Sequence, residues 1–247
     1  MSVGQAGRRV GGKWVSATRG IGVALALLLA ATAGAEPRPL PAYPPARRLA
    51  QDPDPKSLIE RAARAYQRIT SFTAAFKQVI EDSMIGTFES QGNLVQSGES
   101  KLSMRFTDPD GEAIVMDGEH IWVYTPSTTP GQVLRLKIPS DPTYGPNLLA
   151  WFLTNPSERY SVRYLKSDAI GGRAVDVVAL MPLDKSLPFT GAVVYLDQYD
   201  YLPRRLEVRE KGGNQRTLTL SSVETNRRVA PAIFTFSVPK GVRVVDQ

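Results

Sequence analysis

The sequence predicts a mainly β protein with a few helices: about eleven antiparallel strands in one large sheet that curls into a barrel or part of one. Three observations carry this. After one amphipathic helix the apolar period switches from 3.6 residues to 2 and stays there as far as residue 225. Turn-forming residues cut that stretch at short intervals, so successive strands should be antiparallel neighbours. One long interruption, from Pro139 to Ser157, carries an apolar cluster of its own. A meander of this size must curl.

The elements follow in chain order. Residues 1–35 hold Arg8, Arg9, Lys13 and Arg19 with no acid, then the apolar run Ile21 to Ala31 and the small residues Ala33-Gly34-Ala35. That order predicts a secretory signal peptide over 1–35, and the apolar run is too short for a helix crossing about 30 Å of hydrocarbon. Four of the six excess positive charges of the chain therefore sit in the leader, and the rest carries little net charge. Residues 36–55 hold seven prolines among short or charged neighbours and read as an extended linker. The folded domain is expected over 56–247, exported and soluble outside the cytoplasm.

Lys56 to Ser71 reads as a helix with Asp54 as N-cap and Pro55 at its first position. Leu58, Ile59, Ala62, Ala65, Tyr66 and Ile69 share one face, opposite Glu60, Arg61, Arg64, Gln67 and Arg68. Strands are expected at 72–80, 85–96, 100–107, 112–117, 119–125, 131–138, 159–167, 172–182, 190–197, 202–211 and 215–225. The joints include Asp108-Pro109-Asp110-Gly111, Asp117-Gly118, Pro130-Gly131, Gly171-Gly172 and Gly212-Gly213-Asn214. In the long connection, Asn147 can cap a short helix carrying Leu148, Leu149, Trp151, Phe152 and Leu153, with Pro156 to stop it.

Several strands are apolar on both faces. Ile114 and Met116 oppose Ala113 and Val115, Ile121 and Val123 oppose Trp122 and Tyr124, and Val175 and Val177 oppose Val178 and Leu180. Water on one side would give clean alternation, so something must cover each face. Two readings of the inner surface stay open: a closed core, or an apolar cavity with adaptable Met-containing walls suited to acyl chains.

Composition narrows the chemistry. The 247 residues are 42% hydrophobic and contain no cysteine and one histidine, His120. Disulfides, thiolate zinc sites, thiol nucleophiles and a lipid-modified N-terminal cysteine are excluded, and neither a metal site nor a cofactor is expected. Hydrolase, nucleotide-binding and zinc-protease motifs are missing, and His120 reads as an exposed hairpin residue. Asp108, Asp110, Asp176 and Asp197 could pair as acids in space but are better read as turn formers. The doublets Arg204-Arg205 and Arg227-Arg228 lack the stacking aromatics of a nucleic-acid surface. The expectation is a non-enzyme with no catalytic residue.

Five segments taken in order resemble the periplasmic outer-membrane lipoprotein carrier family (LolA). They are Ser71-Phe72-Thr73-Ala74-Ala75-Phe76-Lys77-Gln78; Gly92-Asn93-Leu94; Asp117-Gly118 with Trp122, Tyr124 and Pro126; Leu180-Met181-Pro182; and Phe234-Thr235-Phe236 through Pro239, Gly241, Val242, Val244, Asp246 and Gln247. The resemblance runs from about Ser57 to Gln247. It implies an incomplete (half-open) antiparallel β-barrel of about eleven strands covered by lid helices, a periplasmic carrier that shelters lipoprotein acyl chains between the inner and outer membranes. Free acyl chains cross water poorly, since each methylene is worth about 0.8 kcal/mol. The implied cavity wall is Phe72, Phe76, Leu102, Met104, Phe106, Trp122 and Tyr124, and the implied lid is Leu58, Ala62, Tyr66, Ile69, Leu148, Leu149, Trp151 and Phe152.

The implied partners of a monomeric carrier are acylated lipoproteins, an inner-membrane lipoprotein-releasing transporter and an outer-membrane lipoprotein receptor, without nucleic acid. Other readings are an envelope-stress sensor or regulatory lipid-binding domain of the same fold, and an exported hydrolase using a carboxylate pair. One departure concerns the lid. Where the family has an Arg-Pro thought to hold the lid closed, this chain reads Ser97-Gly98-Glu99-Ser100, leaving Lys101 or Arg105 as candidate substitutes.

Overall fold

The computed structural model describes residues 52–141 and 145–247. The expected signal peptide, and the linker as far as residue 51, lie outside the described residues. The first helix, α1 (Pro55–Arg68), starts as its sequence dictates: Asp54 accepts a hydrogen bond from the Ser57 amide at 2.9 Å, and Pro55 takes the first turn, where no N–H is needed. It ends three residues earlier than expected, with Ile69 already extended. The exit is fixed from outside. The Thr70 amide donates to Asn226 Oδ1 at 2.8 Å and the Ser71 hydroxyl to the Arg227 carbonyl at 2.7 Å, which turns the chain into the first strand.

Eleven strands then form where the alternation places them: β1 (Phe72–Asp82), β2 (Gly86–Ser97), β3 (Lys101–Asp108), β4 (Asp110–Asp117), β5 (His120–Tyr124) and β6 (Gln132–Lys137), then β7 (Tyr160–Ile170), β8 (Arg173–Pro182), β9 (Phe189–Asp197), β10 (Pro203–Glu210) and β11 (Gln215–Thr225). A twelfth, β12 (Arg243–Asp246), pairs in parallel with β6 and is clamped by a bidentate ion pair between Arg135 and Asp246, at 2.6 and 2.9 Å. It was not expected; four residues are too few for alternation to stand out.

All twelve belong to one sheet in the order β12-β6-β5-β4-β3-β2-β1-β11-β10-β9-β8-β7. β1 pairs with β11, so the first and last strands of the meander meet in mid-sheet, and the edges, β12 beside β6 and β7, do not pair. The barrel is incomplete. The long connection runs from one edge to the other and folds into α2 (Leu148–Leu153) and α3 (Pro156–Arg159). Asn147 caps α2 through the Ala150 amide, as its sequence suggests, and α2 ends before Pro156, which opens α3 instead of following a loop. One apolar cluster takes side chains from α1, α2 and strands on both sides of the β1–β11 seam.

Both faces of β4 and β5 are covered, by different parts of the chain. Helices cover the inside. Outside, the segment after β11 lays a short 3-10 turn, Pro231–Phe234, against β3 and β4, burying Phe234 with Ala113 and Val115 of the outer β4 face.

Candidate functional site

The inner wall is built from alternate residues of the central strands. Phe72 and Phe76 of β1, Leu94 of β2, Leu102, Met104 and Phe106 of β3, Met116 of β4 and Leu218 and Leu220 of β11 are all buried in the same cluster. In the ladder Phe76 opposes Gly92, which in turn opposes Phe106, and the two rings meet edge to face across β2 with centroids 5.1 Å apart. Gly92 is required there, because a Cβ would stand 2.0 Å from the Arg105 carbonyl oxygen.

Two expected wall residues are placed elsewhere. Ile121 is buried in the cluster and Val123 packs against it, so the period of 2 turns Trp122 and Tyr124 to the outer face of β5. There the Trp122 ring stacks on Phe236 at 5.7 Å, Tyr124 lies 5.8 Å from the same ring, and the Arg135 guanidinium covers Trp122. The Asp117-Gly118 turn explains the tryptophan: the Asp117 carboxylate accepts from the Glu119 and His120 amides and from Trp122 Nε1, each within 2.8 Å. Trp122 and Tyr124 anchor the C-terminal segment and do not line the interior. The sequence showed the two faces of β5 but held no signal for which one the tail would cover.

The lid residues converge on the interior. Leu58, Ala62 and Tyr66 of α1 are buried in the cluster, with Ile69 half-buried just beyond the helix. From α2, Leu148, Leu149 and Phe152 are buried, and Trp151 is half-buried. Trp151 stacks on Phe189 at 5.6 Å, and Phe152 meets Phe189 at 5.6 Å and Tyr160 at 5.9 Å. Between α2 and the wall at Leu102, Met104, Ile114 and Leu218 remains a cavity of about 30 Å³, the space of about one water. Among the described residues no backbone hydrogen bond joins α1 or α2 to a strand.

The covers are also tied by a cluster of hydrogen bonds that the sequence did not reveal. Gln96 Nε2 donates to the Tyr66 hydroxyl and, at 2.8 Å, to the Gly98 carbonyl. Asn147 Nδ2 donates to the Tyr66 hydroxyl at 3.4 Å and to the Glu99 carbonyl at 3.2 Å, and the Thr154 hydroxyl donates to Glu99 Oε1 at 2.9 Å. The β2–β3 turn thus ties α1 and both ends of α2. Burial pushes the Tyr66 pKa up to about 12, against the smaller lowering effect of its hydrogen bonds. Neither candidate substitute for an arginine at Gly98 takes part: Lys101 is exposed beside the Asp117-Gly118 turn, and Arg105 points outward, donating to the Thr235 carbonyl at 3.1 Å.

The remaining polar candidates are dispersed. Asp176 and Asp197 lie on opposite faces of neighbouring strands, since Asp176 opposes Leu196 in the ladder. Asp108 and Asp110 flank an exposed turn. Burial raises the Asp197 pKa, but hydrogen bonds from Arg173 and the Tyr199 and Asp200 amides, with the Arg204 charge, outweigh it and hold the carboxyl below the usual range. His120 is half-buried rather than exposed, beginning β5 beside Trp122. Arg205 lies over Tyr195, and Arg227 pairs with Glu224. Among the described residues no three His, Cys, Asp or Glu side chains gather as a metal site would require.

Comparison with known proteins agrees with this architecture. A family model described as outer membrane lipoprotein carrier protein LolA matches residues 67–237. The outer-membrane lipoprotein carrier protein of Alkalilimnicola ehrlichii is 27% identical over 186 residues, which cover 74% of this chain and 81% of that relative. The protein of the same description from Pseudomonas aeruginosa is 25% identical over 203 residues, covering 78% and 90%. Among solved structures, an uncharacterized conserved protein from Thermus thermophilus shares the fold with a TM-score of 0.50 at 12% identity, covering 78% of this chain and 98% of that one.

Proposed function

The chain belongs to the LolA family of outer membrane lipoprotein carrier proteins, and from that premise we propose that it is a periplasmic carrier, which binds the acyl chains of lipoproteins in its interior and delivers them from the inner to the outer membrane. The observation that carries this reading is the attachment of the covers. A wall of Phe, Leu and Met side chains lies under two helices that, among the described residues, are held to the sheet by side chains alone. A carrier must exchange helix contacts for acyl contacts at small net cost, and covers held to the sheet by side-chain contacts alone permit that exchange. The apolar area released by a displaced helix is replaced by apolar ligand. Each methylene then contributes about 0.8 kcal/mol whichever partner supplies it.

Within this reading Phe72, Phe76, Leu102, Met104 and Phe106 line the acyl site, α1 and α2 are the moving covers, and an inner-membrane releasing transporter and an outer-membrane receptor are the partners. No helix among the described residues is long and apolar enough to cross a membrane. The test is binding of a fluorescent fatty-acyl probe by the purified protein and by Leu102→Glu, with stability measured beside it. A buried charge costs several kcal/mol in either role. The proposal expects the folded fraction of the variant to bind at least about tenfold more weakly. Binding that falls only in step with unfolding leaves an ordinary core and ends the carrier reading.

A further inference from the structure

Beside the N-terminal half of α1 a cleft of about 660 Å³ opens between that helix and the β7–β9 strands. Its wall joins two kinds of surface. Leu58, at 2% exposure, belongs to the apolar cluster, and Tyr164 and Tyr201 pack against that cluster. Opposite them stands Asp176, 7% exposed, on the inner face of β8 with Val178 and Leu180.

The surroundings of Asp176 are unusual for a buried carboxylate. The Tyr164 hydroxyl at 3.4 Å, the Ser167 hydroxyl at 3.1 Å and Gln198 Nε2 at 3.0 Å all donate to Oδ1. Oδ2 receives no hydrogen bond, and it is not among the fully buried side-chain atoms left without partners. All three donors are neutral. The cations on the cleft wall are turned to other groups: Arg61 lies over the Tyr201 ring and bonds the Ser57 carbonyl, and Lys166 pairs with Asp168. Among the described residues no Lys or Arg forms an ion pair with Asp176. With one oxygen enclosed by neutral donors and the other facing the cleft, the Asp176 charge is left to be met from the cleft.

We infer that this cleft receives a primary ammonium group carried on an acylated amphiphile, with Asp176 Oδ2 as its acceptor and the acyl chains passing Leu58 into the interior. This rests on the carrier reading and deepens it by naming the polar group the site takes. The logic is that of any amphiphile site: the chains seek the apolar cluster, and the head must stop where polar partners begin. An ammonium donates three hydrogen bonds and carries the positive charge that would balance the Asp176 carboxylate. Two sources offer this chemistry, the free α-amine of a diacylated cysteine at a lipoprotein N-terminus and the ethanolamine head of a phospholipid.

The experiment measures displacement of the fluorescent acyl probe by a synthetic diacylglyceryl-cysteinyl peptide with a free α-amine, and by the same peptide after N-acetylation, so that chain area is constant and only the charge differs. A second pair, phosphatidylethanolamine and phosphatidylglycerol, separates the sources. The native protein should prefer the free amine about tenfold, the scale of one charge-assisted hydrogen bond. Asp176→Asn keeps an acceptor for the three donors and should bring that ratio close to one. Gln198→Lys, at an exposed position, supplies an ammonium beside Oδ1 and should abolish the preference even if Asp176→Asn folds poorly. A preference confined to one pair assigns the source. Equal affinity for both members of each pair, or a preference that survives both variants, overturns the inference while leaving the carrier reading intact. If neither lipopeptide displaces the probe, the carrier reading fails and this inference with it.

Discussion

α1 and α2 cover the same apolar interior, yet different interactions hold them. α2 is six residues long, and most of its grip comes from rings: Phe152 and Trp151 pack into an aromatic group with Phe189 and Tyr160, contributed by β9 and β7. α1 has fourteen residues and no aromatic in its stripe except Tyr66, whose hydroxyl sits in the hydrogen-bond cluster at the β2–β3 turn. Its other ties are the aliphatic contacts of buried Leu58, Ile59, Ala62 and Ala63, with polar ties at the rim, where the Ser157 hydroxyl donates to Glu60 at 2.7 Å and Arg61 lies over Tyr201. Rings buried against rings lose their contacts all at once when displaced, whereas polar groups released to water find new partners. On the carrier proposal α1, held by aliphatic contacts and polar ties, is expected to open before α2, whose rings set how much opening costs.

The largest test of this contrast is Phe152→Ala. The side chain is fully buried, so the change removes apolar area and leaves a cavity, with an expected loss of about 3–5 kcal/mol in denaturant unfolding. Hydrogen exchange in α2 should then approach the rate of α1. A loss below about 1 kcal/mol would show that the aromatic group does not anchor α2.

Alkaline pH should act next, and on both covers. Burial pushes the hydroxyls of Tyr66 and Tyr160 up to about 12, against 10 for an unperturbed tyrosine. The unfolded chain thus releases these protons before the folded one does. Stability is intact below pH 10 and falls as the pH rises from 10 to 12, each group contributing on the order of 2 kcal/mol. Tyr66→Phe should flatten that fall and cost about 1 kcal/mol at neutral pH, since Gln96 and Asn147 keep the Gly98 and Glu99 carbonyls as acceptors. Exchange in α1 should quicken about fivefold, with α2 little changed. An unaltered alkaline slope in Tyr66→Phe would remove this hydroxyl from the account.

Much of this fold is legible in the sequence, because strands and their turns are local. Period 2 locates eleven strands, Asp54 and Asn147 cap the helices they precede, and the long connection marks where the sheet breaks. Side choice is not local. Trp122 and Tyr124 face the tail and not the interior because Phe236, more than a hundred residues later, packs on them. The tie at the covers is also invisible, for Tyr66, Gln96 and Asn147 are ordinary residues until three separate turns of chain bring them together. Asp176 is similar: alternation places it, but only the pairing of β7, β8 and β9 shows that its three donors are neutral. Gly98 also carries a reason of its own. At φ +61° it holds a left-handed turn that an arginine would strain, so Gly98→Arg is a poor way to restore a lock.

The smallest expected effect divides the two covers most sharply. Asp54 caps α1 at its far end from the hydrogen-bond cluster, on an exposed surface, accepting from the Ser57 amide. Asp54→Ala leaves that amide to water and removes a negative charge from the positive end of the helix dipole, a loss of about 0.5–1 kcal/mol. Nothing in α2 touches Asp54, so if the covers move independently the variant should speed exchange in the first turns of α1 a few-fold and leave Ala150 to Leu153 at the native rate. Asp54→Asn retains the capping oxygen and should recover most of the loss, separating the cap from the charge. Should exchange rise equally in α1 and α2, the two helices open as one body, and the distinction between a cover that yields and a cover that anchors is lost.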